Sequence, residues 1–532
     1  MSLHWFFSLE LSPLEERLAS LCKKKKLFPF LRLIRHQLFS DDFQKLLAAS
    51  YTERSAGEEA VPPALLAMAT LLQAVLKVSD HEAVRLSATD RCWQMVLGTL
   101  GEEDAPFSQG TLFHFRQRLI ANNLDAVLLT RTVELAKESG LFGDKALRFA
   151  FDSSPLFGAG RVEDTFNLLG HAARQVLQLA AKQMKLSLEE VTRQAGMELL
   201  TGKSLKATLD INWDSKEEQK HAMHRLVAQL DALGQFVRKQ LETQLATPEE
   251  IAKDPLQSRW VVIEQIMKQD LEVTEEGPQI KEGVAKDRRV SITDPEMRHG
   301  RKSKAIKFNG YKRHLGRDLE SGLIIAVAIT PANQPESEAL KPVLAEVKQL
   351  GMKLAELDID RAYLSAPEVI ELKEAGVRIC CKAFPLKNGD KFSKAEFVLD
   401  FEKEQVMCPA GQLAVMELGQ VSKFGKKTCA GCTLRAKCTK AKNGRSLSIH
   451  KEEPFLIELR TRQKTEEGRQ ELRERVAIEH ALARVGQTQG RRARYKGIRK
   501  NLYDLRRHAV VFNLHELARA EARQPALTKR AV

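Results

Sequence analysis

Two apolar runs that each close on aspartate constrain the fold of this chain more than any other feature. ALRFAFDS (146–153) is apolar but for Arg148 up to Asp152, and LAELDID (354–360), with Glu356 and Asp358 inside it, ends on Asp360. Each reads as a short buried strand with a carboxylate at its carboxyl end. An ionised carboxylate beside a core is costly without a partner. In open sheets, chemistry gathers where strands end. Asp358 shares a face with Asp360 by strand alternation, so the residues alone leave both open.

The elements around these runs give an α/β order. A long helical pattern with good helix formers separates the runs, from Val162 to Lys286. KFNGYKRHLGRDLESGLIIAVAIT then reads as a hairpin, with strands near Ile306–Leu315 and Leu323–Thr330 around a polar turn holding Asp318, Ser321 and Gly322. A helix from Ser337 to Leu350 leads into the second strand. PEVIELKEAG reads as a helix and VRICCKAF as a strand. One long charged helix begins near Glu466 and passes through Glu479. Strand, hairpin, helix, strand, helix implies a mixed sheet. No internal repeat is visible.

Residues 1–130 read as helical. Pro62 and Pro63 suit a helix start, and Leu65, Leu66, Met68, Leu71, Leu72 and Val75 follow at helical spacing. Asp80 and Ser108 suit helix caps. Short helices joined by tight turns suit a helix-turn-helix with Arg116 and Arg118 facing phosphates. The competing reading is a bundle that packs or dimerises.

At 532 residues the chain exceeds one ordinary core. It carries 84 Lys and Arg against 70 Asp and Glu, a net charge of +14, which favours a polyanionic partner. No membrane span and no signal peptide are visible, so the expected compartment is the cytoplasm. The eight cysteines do not suggest a disulfide scaffold. Cys408, Cys429, Cys432 and Cys438 are spaced C-x20-C-x2-C-x5-C, which suits a tetrahedral structural zinc site. Cys380 and Cys381 read as core, and Cys22 and Cys92 as structural thiols.

Asp152 and Asp360 in a basic protein point to a divalent metal with oxygen ligands, Mg2+ or Mn2+. A third acid comes from the charged helix, but chemistry alone does not choose among Glu466, Glu467, Glu471, Glu474 and Glu479. Arg475 lies one turn before Glu479, on the same face. GRRARYKGIRKNLYDLRR (490–507) supplies a basic stretch for nucleic acid. Its candidates are Arg491, Arg492, Arg494, Lys496, Arg499 and Lys500, with Tyr495 and Tyr503 interleaved for stacking on bases. Lys304, Lys307, Lys312, Arg313 and His314 add a weaker patch along the hairpin. His314 by itself reads as structural.

The chain resembles bacterial insertion-sequence transposases of the DDE class. The stretches that carry the likeness are FSQGTLFHFRQRL, FAFDSSPLFGAGRVEDTFNLL, FNGYKRHLGRDLESGLIIAVAITPAN, LDIDRAYLSAPEVIELKEAG, the Cys408–Cys438 cluster, and RERVAIEHALARV followed by RRARYKGIRKNL. Their order spans roughly residues 60–515. The resemblance implies an RNase H-like mixed-sheet catalytic core at 146–516. It is interrupted by a helical insertion at 162–290 and a Cys-rich, zinc-binding insertion at 385–450. An all-α DNA-binding domain at 1–130 precedes it, and a flexible tail at 517–532 follows. By the resemblance, Asp152, Asp360 and Glu479 are the catalytic, metal-binding acids, and Arg475 is the arginine four residues before the Glu. The implied reaction is nicking at element ends, then attack of the 3′-hydroxyl on target DNA. The implied partners are double-stranded terminal repeats and target, with a homodimer in the synaptic complex and a nucleoid-associated setting. Relatives often carry Tyr three residues before that Arg and Lys seven after the Glu. Here those positions are Leu472 and Gly486, which bears on end contacts and not on the metal ligands. A nuclease that cuts without joining uses the same acids, and a DNA-binding regulator from a decayed copy is the non-enzymatic alternative.

Overall fold

In the computed structural model, residues 3–22, 26–51, 60–140, 145–202, 204–245, 247–302 and 305–523 are described. Lys304 lies outside them, as do residues 524–532 of the expected tail.

The chain opens with helices α1 (Pro13–Leu21), α2 (Leu27–Leu38), α3 (Asp41–Ala48), α4 (Pro63–Leu76), α5 (Asp80–Thr89), α6 (Arg91–Leu97), α7 (Gln109–Ala121) and α8 (Leu124–Glu138). Pro63 begins α4, and the Ser108 side chain caps α7 through the Thr111 N–H. Strand β1 (Leu147–Phe157) follows. Helices α9 (Thr165–Met184), α10 (Leu188–Gln194), α11 (Leu205–Leu209), α12 (Lys216–Gln244), α13 (Pro248–Lys253) and α14 (Pro255–Asp270) come next, with a small hairpin, β2 (Leu271–Thr274) and β3 (Gly277–Ile280). This insertion buries its own core. Met223, Leu226, Leu230, Leu233, Val237 and Leu241 recur at three- and four-residue steps along α12 and meet Leu169, Val176 and Ile263.

The sheet resumes with β4 (Arg298–Arg301), β5 (Lys307–Asp318) and β6 (Ile324–Pro331). It continues through α15 (Leu340–Gln349), β7 (Leu354–Ile359), α16 (Pro367–Glu374) and β8 (Arg378–Cys381). Among the described residues, β1 is central, antiparallel to β5 and parallel to β7. β6 pairs antiparallel with β5, β8 pairs parallel with β7, and β4 pairs with the first residues of β5. The order β6–β5–β1–β7–β8 is a mixed α/β sheet behind a helical N-terminal region, as an RNase H-like core requires. Phe149, Ala150 and Phe151 are buried on both faces of β1, which explains its unbroken apolar run.

The Cys-rich insertion carries β9 (Val398–Asp400), β10 (Gln405–Met407), β11 (Leu413–Val415), β12 (Val421–Lys423), α17 (Lys426–Ala430), α18 (Arg435–Cys438) and β13 (Ser446–Ser448). Its small core contains Phe397, Val406, Met416, Phe424, Leu447 and Ile449. The chain ends with α19 (Glu453–Arg462), α20 (Glu466–Glu474), α21 (Val476–Gln489) and α22 (Ile498–Arg523). No single helix among the described residues is long and apolar enough to cross a membrane.

Four expectations change. β1 does not end at Asp152, because Ser153–Phe157 continue antiparallel pairing with His314–Gly310 after the parallel partner has stopped. The charged helix is two helices broken at Arg475. The N-terminal helices do not form a core of their own. α22 packs between β6 and helices α4 and α8, so both regions share one hydrophobic core. Residues 517–523 are not a frayed tail, since α22 continues to Arg523 with Leu517 buried.

Candidate active site and nucleic-acid interface

The register of the parallel pair brings the two aspartates together. Phe151 opposite Ile359 is the last pair between β1 and β7, so Asp152 and Asp360 are the next residues on adjacent strands. Asp360 lies just past its strand, where its Oδ1 accepts from the Arg361 N–H at 2.8 Å. Asp152 Oδ1 accepts from the Ser153 N–H at 2.7 Å. Helix α21 lays Glu479 over the same place. Arg475, at the break between α20 and α21, donates to Asp152 Oδ2 at 3.2 Å and to Glu479 Oε1 at 2.7 Å. One guanidinium thus holds carboxylates from β1 and α21. Asp152 retains 17% of its side-chain exposure and Glu479 retains 50%.

These groups line one open cleft of about 850 Å³, together with Arg301, Lys302, Lys312, Glu336, Gly486 and Arg491. Burial pushes the Asp152 carboxyl up, and the charges of Asp360 and Glu336 add to this. The Ser153 N–H and Arg475 work against it. Arg475 holds two carboxylates, and Asp360 and Glu336 line the same cleft, oxygen donors of the kind a hard divalent cation takes. Beneath the cleft, burial drives the Tyr363 hydroxyl well above its ordinary value. His314 is pushed down to about 3 by burial and by Lys312, so it is neutral. It stacks on Phe151 and pairs with Thr330 Oγ1 at 2.9 Å, a structural place.

Asp358 is elsewhere. It is fully buried inside β7, beside Glu356 and Cys380, and does not reach the cleft. Burial and the neighbouring Glu356 push it up to about 8. Arg378 and Arg148 ion-pair with Glu356.

The structure separates the expected DNA contacts. Arg491 lines the cleft and is exposed over the Phe157 ring. Arg492 and Arg494 are exposed, and Arg492 donates to the Gly158 carbonyl at 3.2 Å. Lys496 and Lys500 are exposed. Arg499 is held by Asp125 and by the Ile120 carbonyl at 2.8 Å. Lys312 reaches the Gln334 carbonyl at 2.9 Å at the cleft wall.

Other expected contacts are corrected. Arg116 does not face phosphates; it is buried and ion-paired with Asp80, whose carboxylate compensates it inside the helical layer. Arg118 lies over the Tyr51 ring at 4.3 Å. Arg313 is buried and spends its guanidinium on Ser154 Oγ, Gln489 Oε1 and the Pro155 and Gly490 carbonyls. Burial lowers it to about 10. Tyr503 is buried in the shared core and packs against Tyr495, so it presents no face to a base. Sequence reading missed Glu336, Arg301 and Lys302, which lie outside every motif and reach the cleft only through the fold.

The Cys-rich insertion gathers its four thiols. Cys408, Cys429, Cys432 and Cys438 line one cavity of about 30 Å³. Burial raises the Cys438 thiol, and the other three add to this. Such a set fits a thiophilic cation.

A mixed sheet with carboxylates meeting at the ends of neighbouring parallel strands defines a class, the RNase H-like α/β proteins. Comparison with known families narrows this. Residues 408–518 match a family model described as a transposase DDE domain, and residues 16–118 match one described as a transposase domain (DUF772). Both matches are to transposase families, one of them of the DDE class, and DNA transposition is the function these families indicate. The DDE match covers Glu479 and the four cysteines, while Asp152 and Asp360 lie before it. No curated protein matches the chain, and no solved structure does.

Proposed function

We propose that this transposase cleaves DNA at the ends of its element and joins the freed 3′-hydroxyl to target DNA, with Asp152, Asp360 and Glu479 as its metal-binding acids. The register of β1 and β7, which sets Asp152 beside Asp360, carries this reading. The DDE family match supports use of a divalent metal, which we assign to Mg2+ or Mn2+. Bound by these acids, the metal supplies Lewis acidity toward the scissile phosphodiester. Arg475 fixes the carboxylates of Asp152 and Glu479, and the Ser153 N–H turns Asp152 toward the cleft. Arg301, Lys302 and Arg491 meet the phosphates that flank the reacting one. Joining two element ends calls for two copies of the chain in one complex. The four cysteines hold a structural zinc that staples residues 385–450.

Asp152→Asn, Asp360→Asn and Glu479→Gln are each expected to lower Mn2+-dependent nicking of an element-end duplex by a factor on the order of a thousand. Their DNA binding, read by fluorescence anisotropy, should stay within a few-fold of the parent. Near-full nicking by any one of them would remove that residue from the ligand set. A strand-transfer assay with pre-cut 3′-hydroxyl ends separates the transposase from a nuclease that only cuts.

A further inference from the structure

We propose that a basic groove along α20 is a second track for the phosphate backbone of DNA, separate from the cleft and from the 490–507 stretch. This rests on the DNA-handling reading above. The groove is open, of about 560 Å³, and its cations are Lys382, Lys464, Arg469 and Arg473, over a floor formed by Leu472 and Val476. Three places in the chain supply them. Lys382 follows the last residue of β8, Lys464 sits between α19 and α20, and Arg469 and Arg473 lie one turn apart on α20.

No Asp or Glu lines this groove. Glu466 is the acid that pairs with its walls, at 2.6 Å from Arg469 and 3.8 Å from Arg473. Like charges one turn apart repel, and exposed ion pairs contribute little. Lys382 and Lys464 are exposed, and among the described residues no acid pairs with either. The convergence of four cations therefore works against folding locally, and the fold gains nothing visible from the two lysines. A polyanion would relieve it.

The placement identifies the polyanion. Val476 forms part of the groove floor, and the preceding residue, Arg475, lines the cleft. Adjacent residues at the start of the helix that carries Glu479 thus line the cleft and the groove. A duplex held with one phosphodiester at the acids continues past that point, carrying one charge per roughly 3.4 Å along each strand. The groove has no aromatic lining, and its four cations suit the phosphate backbone.

The test uses the full chain and a fluorescein-labelled duplex of arbitrary sequence, with affinity measured by anisotropy between about 50 and 200 mM salt. Lys382→Gln/Lys464→Gln should weaken binding at low salt and flatten the salt slope by about 2, and adding Arg473→Gln should flatten it by about 3. The loss should be the same for unrelated duplex sequences. Lysine-reactive footprinting of the unmutated protein gives a second readout: bound duplex should protect Lys382 and Lys464. Parent-like affinity and slope in both variants, or lysines equally reactive with and without DNA, would overturn the groove while leaving duplex binding by the parent intact. A parent that binds no duplex at all would instead overturn the DNA-handling reading itself. If an acidic protein but not DNA protects the lysines, the groove is a protein contact and the proposal fails.

Discussion

At the scale of single residues, two aspartates two positions apart, one in β7 and one just past it, meet opposite fates. Alternation puts them on one face, but Asp358 pairs within the sheet while Asp360 lies past its end. Glu471 of α20 comes within 3.8 Å of Cys380, beside Asp358, so that helix covers the inner position. Asp358→Asn should therefore keep metal-dependent nicking within a few-fold of the parent, where Asp360→Asn loses it; equal losses in one nicking assay would undo the distinction. Gly486 has a physical reason too. A Cβ there would lie 3.3 Å from the Arg313 guanidinium, so the lysine common in the resembling family would set two cations against each other. Arg491 lines the cleft beyond that end of α21.

At the scale of elements, the Cys-rich insertion is too small to hold itself. Its six buried apolar side chains give a core of a size that ordinarily needs a staple. Purified protein should hold about one zinc per chain by elemental analysis. Removing it with a chelator should open residues 385–450 to proteolysis before the sheet melts. No zinc under reducing conditions, or an insertion equally protected after chelation, would rule out the tetrathiolate. The helical insertion at 162–290 differs, because α12 and its neighbours supply a full core. Hydrogen exchange there should report an unfolding unit distinct from the sheet.

At the scale of the molecule, α22 joins the two ends of the chain. Asn513, wholly buried, donates to the Ile324 carbonyl at 2.8 Å and to Thr132 Oγ1 at 3.0 Å, and it accepts from the Ile324 N–H at 2.8 Å. It ties α22 to edge strand β6 and to α8. Arg506 does the same with charge, pairing with Asp125 before α8's second turn and with Glu346 of α15. Asn513→Ala leaves backbone groups of β6 unpaired and should cost about 2–4 kcal/mol, read from denaturant midpoints at unchanged slope. Cutting the chain after Glu138 should leave a catalytic region that does not stay folded. A soluble, cooperatively folded 146–523 fragment would show that the shared core is dispensable.

The order of strands was legible in the sequence because apolar runs, turn residues and caps act locally. The four cysteines and the two strand-end aspartates stand out in the sequence because metal chemistry favours those residue types in such settings. Glu479 came through family likeness, since a helix rich in glutamate gives no local sign of which one faces a sheet. Burial was not legible for the arginines. Arg116, Arg313 and Arg506 look like surface cations in sequence, and each becomes buried by finding acceptors far along the chain. The same holds for Glu336 and the groove along α20, whose members come from separated segments. The sequence by itself determined which side chains carry charge and which segments pair or coil. The tertiary structure decided which charges meet water and which meet one another, because that depends on distances between residues that periodicity does not encode.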